Sequence, residues 1–308
     1  MREEHSAVQQ SGALDGVRPS LQELVALRQS VARRHAVRRG QHGAVGIAPS
    51  AVRGRGMEYA ESREYVAGDD ARHIDWKLSA RTGHTHTKLF QAERERVTLI
   101  VADTSPRLYF GTRVRFKSVQ AARAGAVAAW MAQRQGDRVG ALRGSGSETP
   151  VAPAGGSRGV LKVLDALSRW YAQVPAEDGG LDAALQRSAR LLRPGSRLVV
   201  LADPASVAQI PLPRWSGLAQ HLEVVLLLQV DPLELAPPHG VLPFLAQGQR
   251  VELDLDSESA RLRWHQAFVA PLQQLLATLP GRRIQVHVLA CDDASDAWLA
   301  PVPVGEMR

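Results

Sequence analysis

An almost unbroken aliphatic and β-branched run, VTLIVA at residues 97–102, leads directly into Asp103-Thr104-Ser105. The run does not alternate polar with apolar residues, which is the pattern expected of a strand buried on both faces of a parallel sheet. Polar residues that follow such a strand lie at its carboxyl end, where ligands bind in open α/β sheets. The segment therefore predicts both a fold class and the edge of the sheet at which to look for a site.

Similar strands alternate with helical segments along the rest of the chain. We predict strands at 138–142, 197–202, 223–228 and 284–289, and helices at 117–135, 159–171, 181–192 and 259–279. The proline-rich stretch 231–250 predicts a loop or flap. Strands that alternate with helices predict an α/β domain with a doubly wound, mostly parallel sheet of Rossmann type.

Upstream, residues 54–95 interleave charges with apolar side chains too densely for a solvated linker. Gly68 before an Asp pair indicates a turn, because glycine takes positive φ at little cost. Ile74, Trp76 and Leu78 are spaced by two, which predicts a strand with these side chains on one face. We therefore expect a β-rich segment over 46–96 in which ion pairs link neighbouring strands.

The motif residues of this segment resemble the signature of the bacterial domain-of-unknown-function-58 family. The resemblance is ungapped from Arg63 to Arg81 and is carried by Arg63, Glu64, Tyr65, Gly68, Asp69, Asp70, Arg72, Ile74, Asp75, Trp76, Lys77, Ala80 and Arg81. The motif brings no known chemistry with it. From its balanced charges we predict a structural role, in which Asp75 forms a buried or half-buried ion pair with Arg72, Lys77 or Arg81.

From Val97 onward the sequence resembles a von Willebrand factor A-type domain over 97–308, which in this family follows the signature segment. Where that fold has a metal-ion-dependent adhesion site, Asp-x-Ser-x-Ser, a later Thr and a later Asp gather around Mg²⁺. Asp103, Ser105 and Asp203 match this pattern, but Arg107 replaces the second Ser, and the Thr position falls in the hydroxyl-free segment 178–182. The resemblance thus implies a degenerate site.

Two interpretations of Arg107 stay open. Its guanidinium could neutralise Asp103 and Asp203 in place of the metal. Alternatively it points to solvent, and the two carboxylates hold a weakly bound, hydrated Mg²⁺. In either case we expect no tightly bound cofactor.

The N-terminal region holds most of the positive charge. The chain carries a net charge of +7, and residues 18–55 contain eight Arg and one acid. We interpret residues 1–45 as a disordered leader followed by a short amphipathic helix, with Ser20 and Glu23 forming a capping box. The basic run 33–39 suits nucleic acid, an acidic partner or anionic lipid. A solvated face is favoured instead, because no aromatic residues are interleaved as a nucleic-acid platform would require.

Composition narrows the class of protein further. With 44% hydrophobic and 22% charged residues, the 308-residue chain is expected to be globular. No run of about 18 apolar residues is present, and the N-terminus lacks the apolar core of a signal peptide, so we expect a cytoplasmic location. Cys291 is the single cysteine and predicts an ordinary thiol.

Two functional classes follow. The family resemblance implies a non-enzymatic protein-interaction adaptor, since family members commonly accompany MoxR-type AAA+ ATPases in chaperone-like systems. The alternative is a metal-dependent hydrolase built on Asp69, Asp70, His73 and Asp75, or a nucleic-acid-binding protein that uses the basic arm. Cationic neighbours crowd those carboxylates, which favours ion pairing over catalysis.

Overall fold

The structure, a computed structural model, describes residues 16–32, 57–92, 96–246 and 249–299. They form two compact units. A large unit contains the described residues of Met1–Ala36 and Arg96–Arg308, and a small unit contains those of Val37–Glu95. No helix within the described ranges is long and apolar enough to cross a membrane.

Helices and strands follow one another in the order α1 Leu21–Ala26, β1 Met57–Glu64, α2 Trp76–Thr82, β2 His86–Ala92, β3 Val97–Ala102, α3 Lys117–Arg134, β4 Arg138–Arg143, β5 Val151–Ala154, α4 Gly156–Trp170, α5 Gly180–Leu191, β6 Arg197–Ala202, α6 Pro204–Ala208, α7 Leu212–His221, β7 Glu223–Val230, α8 Pro232–Leu235, β8 Val241–Ala246, β9 Gln249–Asp254, α9 Glu258–Trp264, α10 Ala270–Thr278 and β10 Ile284–Ala290. A π-helical turn, His265–Val269, joins α9 to α10.

A six-stranded sheet with the order β10-β7-β6-β3-β4-β5 forms the centre of the large unit. Its strands are parallel except β5, which pairs antiparallel with β4. The chain runs outward from β3 to β5 and then returns to β6 on the other side of β3. The switch point of the sheet therefore lies between β3 and β6, and the predicted mostly parallel α/β sheet is confirmed.

Helices cover both faces of this sheet, and the pleat divides the core between them. Ile100 and Ala102 point into one cluster with α1, α3 and α4, whereas Leu99 and Val101 point into the other with α5, α7 and α10. Helix α3 lies close to the sheet at Gly125, where an added Cβ would come 2.8 Å from Leu201. Burial on both faces explains why β3 and β6 have the predicted bounds.

Helix α1 begins where the sequence predicts. The Ser20 hydroxyl accepts a hydrogen bond from the backbone N–H of Glu23, but the Glu23 carboxylate pairs with Arg123 instead of closing a capping box. Trp130 on α3 donates its indole N–H to the Leu24 carbonyl at 3.2 Å. Helix α1 thus belongs to the large unit, which differs from the predicted division at residue 45. Most of the predicted leader and the basic run 33–39 lie outside the described residues.

The predicted loop at 231–250 contains regular structure instead. It holds α8 and β8, and β8 pairs antiparallel with β9 so that Pro243 lies opposite Glu252. A two-stranded pair has only edge strands, where a proline does not break an interior hydrogen-bond ladder. The predicted helix over 259–279 is divided by the π-helical turn, and β5, α6 and α7 were not predicted.

The small unit is a β-hairpin with a helix between its strands. Strand β1 pairs antiparallel with β2, from Met57 opposite Ala92 to Glu64 opposite His86. The strand predicted from Ile74, Trp76 and Leu78 is wrong, because Trp76 begins helix α2. Asp75 caps this helix by accepting from the Leu78 N–H at 3.1 Å, and Gly83 ends it at φ +76°.

Candidate functional site

Carboxylates gather at the carboxyl ends of the central strands. Asp103 follows β3, Asp203 follows β6 and Asp231 follows β7, and all three are buried. The Asp103 carboxylate accepts from the Ser105 N–H at 2.9 Å and from the Asp203 N–H at 3.2 Å, so it links the ends of β3 and β6 across the switch point. The sequence-predicted pair Asp103 and Asp203 is thus brought together.

A buried lysine supplies the positive charge at this edge. Nζ of Lys117, the first residue of α3, lies 2.7 Å from Oδ2 of Asp203 and 2.6 Å from Oε1 of Glu234. The lysine side chain is only 1% exposed. We call Lys117, Asp203 and Glu234 the lysine triad.

Hydrogen bonds from the backbone hold the two acidic members in place. Asp203 Oδ1 accepts from the Ala205 N–H at 2.8 Å and so caps α6. Glu234 Oε2 accepts from the Asp231 N–H at 3.0 Å, while Asp231 caps α8, which completes a capping box. Each carboxylate of the triad therefore has one oxygen on a backbone donor and one on the ammonium.

Burial and pairing shift the proton affinities of these groups. Desolvation opposes the charged form of Lys117, but the carboxylates of Asp203 and Glu234 outweigh it and raise the lysine pKa. Burial raises the pKa of Glu234. Burial also raises the pKa of Asp103 to about 6, against the backbone hydrogen bond from Ser105 that lowers it. The Lys117 ammonium therefore stays protonated and offsets part of the negative charge at this edge.

These residues do not fit a divalent cation. Mg²⁺ needs oxygen ligands at about 2.1 Å and keeps several waters, whereas the oxygens of Asp203 lie against an ammonium and a backbone N–H. Across the described part of the chain, no three His, Cys, Asp or Glu side chains are placed to hold a metal ion.

Arg107 does not take the place of the metal. Its side chain is exposed in the short helix that follows β3, and it forms no ion pair with any carboxylate in the ranges the structure describes. The hypothesis that Arg107 is the built-in cation is therefore wrong, because the cation beside Asp203 is the ammonium of Lys117.

The hydroxyl groups next to Asp103 form hydrogen bonds within the protein. Ser206 donates its hydroxyl to that of Ser105 at 3.3 Å. Thr104 donates to Asp178, the first residue of the segment in which the resemblance places a Thr. Asp178 also accepts from the Gly180 N–H at 2.8 Å, which fixes the loop before α5. Thr104 and Asp178 were not predicted to interact.

Signature acids of the small unit stabilise turns and helix starts. Asp69 pairs with Arg63 at 2.7 Å and accepts from the Val66 N–H, closing the turn at Gly68. Asp70 pairs with Arg72 at 2.8 Å, and this hydrogen bonding lowers its pKa to about 2. The signature ion pairs are therefore local in sequence.

Asp75 does not form the predicted ion pair. Its carboxylate accepts from the Leu78 N–H and from the Ser62 hydroxyl at 3.0 Å, while Lys77 and Arg81 are exposed. The backbone bond from Leu78 lowers the pKa of Asp75. Because α2 begins immediately after Asp75, the carboxylate caps this helix, and its bond from Ser62 ties the helix start to β1.

Several signature side chains remain on the surface. Trp76 is 71% exposed and Val66 59% exposed, and Tyr65 is also exposed although its hydroxyl donates to the Asp69 carbonyl at 3.2 Å. Glu64 is exposed as well. We call Tyr65, Val66 and Trp76 the signature surface.

Sequence reasoning missed Lys117 and Glu234, the two residues that complete the lysine triad. A signal for the lysine was present, because the first turn of a helix disfavours a cation unless an acid pairs with it. Lys117 begins the predicted helix 117–135, so its position indicated an unseen carboxylate partner.

Comparison with known proteins yields relatives without an assigned activity. The chain is 32% identical over 188 residues to the uncharacterized protein Mb1516 of Mycobacterium bovis and to the uncharacterized protein Rv1480 of Mycobacterium tuberculosis. The alignment covers 61% of this chain and 59% of the length of each relative.

The family model described as "Protein of unknown function DUF58" matches residues 61–271. This span contains most of the signature hairpin, the strand-end carboxylates and the lysine triad. The chain belongs to this family.

Proposed function

We propose that the protein is a non-enzymatic adaptor, in which a von Willebrand factor A-like domain and the signature unit present surfaces to a protein partner. The partner that the family resemblance suggests is a MoxR-type AAA+ ATPase. The observation that carries the proposal is the lysine triad, because Lys117 satisfies Asp203 and Glu234 at the edge where such a domain would otherwise hold a metal.

The triad determines how a partner can bind. At a metal-ion-dependent adhesion site a carboxylate of the partner completes the coordination of the cation. Lys117 is buried and both of its carboxylate partners lie inside the protein, so the triad offers no open position to a ligand. Partner binding then depends on exposed surfaces and not on a divalent ion at this edge.

The signature surface suits such a contact. Tryptophan and tyrosine are enriched among the residues that contribute most to protein interfaces. Trp76 lies beside the cap residue Asp75, so its backbone is held at the first position of α2 while its side chain stays exposed. A rigid backbone under an exposed aromatic side chain reduces the entropy lost on binding.

The carboxylates that a hydrolase would use are already engaged in ion pairs or in a helix cap, which favours the adaptor over the enzyme. Asp69 and Asp70 are paired with Arg63 and Arg72, and Asp75 is a helix cap. Each of these carboxylates already has charge-assisted or backbone hydrogen bonds.

A capture experiment tests the proposal. The full chain is immobilised and exposed to extract of its native cell with and without a slowly hydrolysed ATP analogue, and retained proteins are identified by mass spectrometry. We expect a MoxR-type ATPase to be retained with the analogue and to be lost with Trp76→Ala. Leu191→Ala, which shortens another exposed apolar side chain, on α5, is the matched control and should retain it. Equal retention by the wild type and Trp76→Ala, or no AAA+ ATPase in either, would overturn the proposal.

A further inference from the structure

A partly open groove of about 620 Å³ lies beside the lysine triad in the large unit. Pockets of roughly 300–1,000 Å³ are typical of specific ligand sites. Its lining comes from the loop after β3, from α8, from the hairpin β8–β9 and from α9 with the π-helical turn. The lining includes Arg107, Glu234, Phe244, Arg263, Trp264 and Phe268.

Three aromatic rings form one wall of this groove. The centroid of Trp264 lies 5.8 Å from that of Phe244 and 4.7 Å from that of Phe268. The Trp264 indole N–H donates to the Glu234 carbonyl at 2.9 Å, which fixes the ring. Because its polar atom is already used, this wall presents apolar surface.

Two arginines supply the charge of the groove. Arg107 and Arg263 are exposed, and neither forms an ion pair with a carboxylate within the described ranges. A guanidinium binds a carboxylate through two parallel hydrogen bonds. Glu234 also lines the groove, but its carboxylate is paired with Lys117 and therefore repels an incoming anion less than a free carboxylate would.

We infer that the groove binds a short peptide segment that carries bulky apolar side chains next to a carboxylate. The aromatic wall would hold the side chains, and Arg107 and Arg263 would bind the carboxylate, either at a peptide C-terminus or on an acidic residue. The inference rests on the proposed adaptor role only in taking the occupant to be a peptide of a partner. The groove is partly open to solvent, which a peptide requires where its chain continues beyond the site.

The position of the groove supports a binding role. It borders the carboxyl edge of the sheet, where ligands bind in doubly wound folds, through residues that follow β3 and β7. The π-helical turn in its wall belongs to a class of helix irregularity that is frequent at functional sites.

Fluorescence anisotropy on the full chain tests the inference without any ATPase. The first probe is a fluorescein-labelled peptide Gly-Ser-Gly-Leu-Phe-Leu with a free C-terminus. The second is Gly-Ser-Gly-Leu-Phe-Glu-Ala with an amidated C-terminus, and the third is the first peptide amidated. We expect one or both acid-bearing peptides to bind, with an affinity that falls as salt is added. Whichever binds identifies the source of the carboxylate, and the amidated third peptide should bind at least about tenfold more weakly.

Variants locate the binding site. Arg263→Gln and Arg107→Gln remove exposed charges and should each weaken binding about tenfold or more. Arg250→Gln on β9, an exposed arginine that does not line the groove, is the matched control and should leave binding unchanged. The inference is overturned if no acid-bearing peptide binds, or if Arg250→Gln weakens binding as much as Arg263→Gln.

Failure of this experiment and failure of the adaptor proposal are separate outcomes. Peptide binding to the groove is measured on the isolated chain, whereas ATPase capture depends on the signature surface. Retention of an ATPase by a protein whose groove binds no peptide would leave the adaptor intact and remove only the groove inference.

Discussion

Nζ of Lys117 lies 2.7 Å from Oδ2 of Asp203, with both side chains buried beside the switch point of the sheet. The first residue of a helix is a poor position for a cation, because the helix dipole places positive charge there. The two acids of the triad offset this cost. Removal of any one member should therefore disturb the other two.

Lys117→Met should destabilise the protein strongly. Removing one partner of a buried charge pair typically costs about 3–5 kcal/mol, because the remaining charge stays buried without compensation. Chemical denaturation monitored by circular dichroism measures the loss. Adding Glu234→Gln to Lys117→Met should restore part of the stability, and the double variant also keeps the test valid if the single variant does not fold.

Arg107→Ser is the matched control for this prediction. The side chain is exposed, and surface substitutions usually change the free energy of unfolding by less than about 0.5 kcal/mol. A large loss with Arg107→Ser and none with Lys117→Met would mean that the arginine is the compensating cation after all.

Magnesium should leave the melting temperature of the wild-type protein unchanged. A ligand that binds only the folded state raises the free energy of unfolding by about 2.7 kcal/mol at 100 times its Kd, so binding would be visible by calorimetry. Lys117→Met leaves Asp203 and Glu234 without their cation, and millimolar Mg²⁺ should raise its melting temperature. A clear rise in the wild type would show that the strand-end carboxylates bind metal despite the lysine.

Deprotonation of Asp103 should lower the free energy of unfolding as the pH rises from 4 to 7. Its pKa is about 6 in the folded state and near 3.8 when unfolded, so the folded state binds the proton more tightly. The stabilisation is fully present below about pH 4 and is lost as the pH rises through 6, a change of about 3 kcal/mol.

Asp103→Asn removes this titration and serves as the reference. The stability of the wild type relative to Asp103→Asn, measured by denaturation at a series of pH values, should fall between pH 4 and 7. A constant difference would mean that the carboxyl titrates alike in the folded and unfolded states.

Asp75→Ala should lower the melting temperature of the small unit, but less than Lys117→Met lowers that of the large unit. The substitution removes a helix cap and a bond from Ser62, not a buried ion pair. Asp75→Asn should retain most of the stability, since asparagine is an equally good N-cap. If Arg81→Ala proved as damaging as Asp75→Ala, the ion pair inferred from sequence would have to be restored.

Sequence predicted the parts of the fold that burial alone determines. Strands β3 and β6 are covered on both faces, so their apolar runs end where the strands end. The same reasoning failed at Ile74, Trp76 and Leu78, because Ile74 precedes the cap residue Asp75 whereas Trp76 and Leu78 lie in the first turn of α2, where a spacing of two does not place side chains on one face. Asp75, three residues before Leu78, was the capping signal that decides for the helix.

At the candidate site, sequence predicted Asp103 and Asp203 but not Lys117 and Glu234. Asp103 and Asp203 follow recognisable strands, and parallel strands end at the same edge of the sheet. Lys117 is separated from Asp203 by 86 residues and from Glu234 by 117, and Glu234 lies in a stretch whose prolines predicted a loop. The position of Lys117 at a helix start indicated that an acid was needed, but only the sheet topology, which brings the ends of β6 and β7 beside the start of α3, determines that the acids are Asp203 and Glu234.

The π-helical turn His265–Val269 makes chain length critical in this part of the fold. An α-helix advances about 100° per residue, so deletion of one residue that converted the turn to regular helix would rotate everything after it by about that angle. Trp264 and Phe268 face the groove, whereas Leu272 and Leu275 face the core of the sheet. With one residue fewer, either the groove side chains or the core side chains would point in the wrong direction. The extra residue of the π-helical turn therefore lets one continuous helical segment line the groove and pack on the sheet.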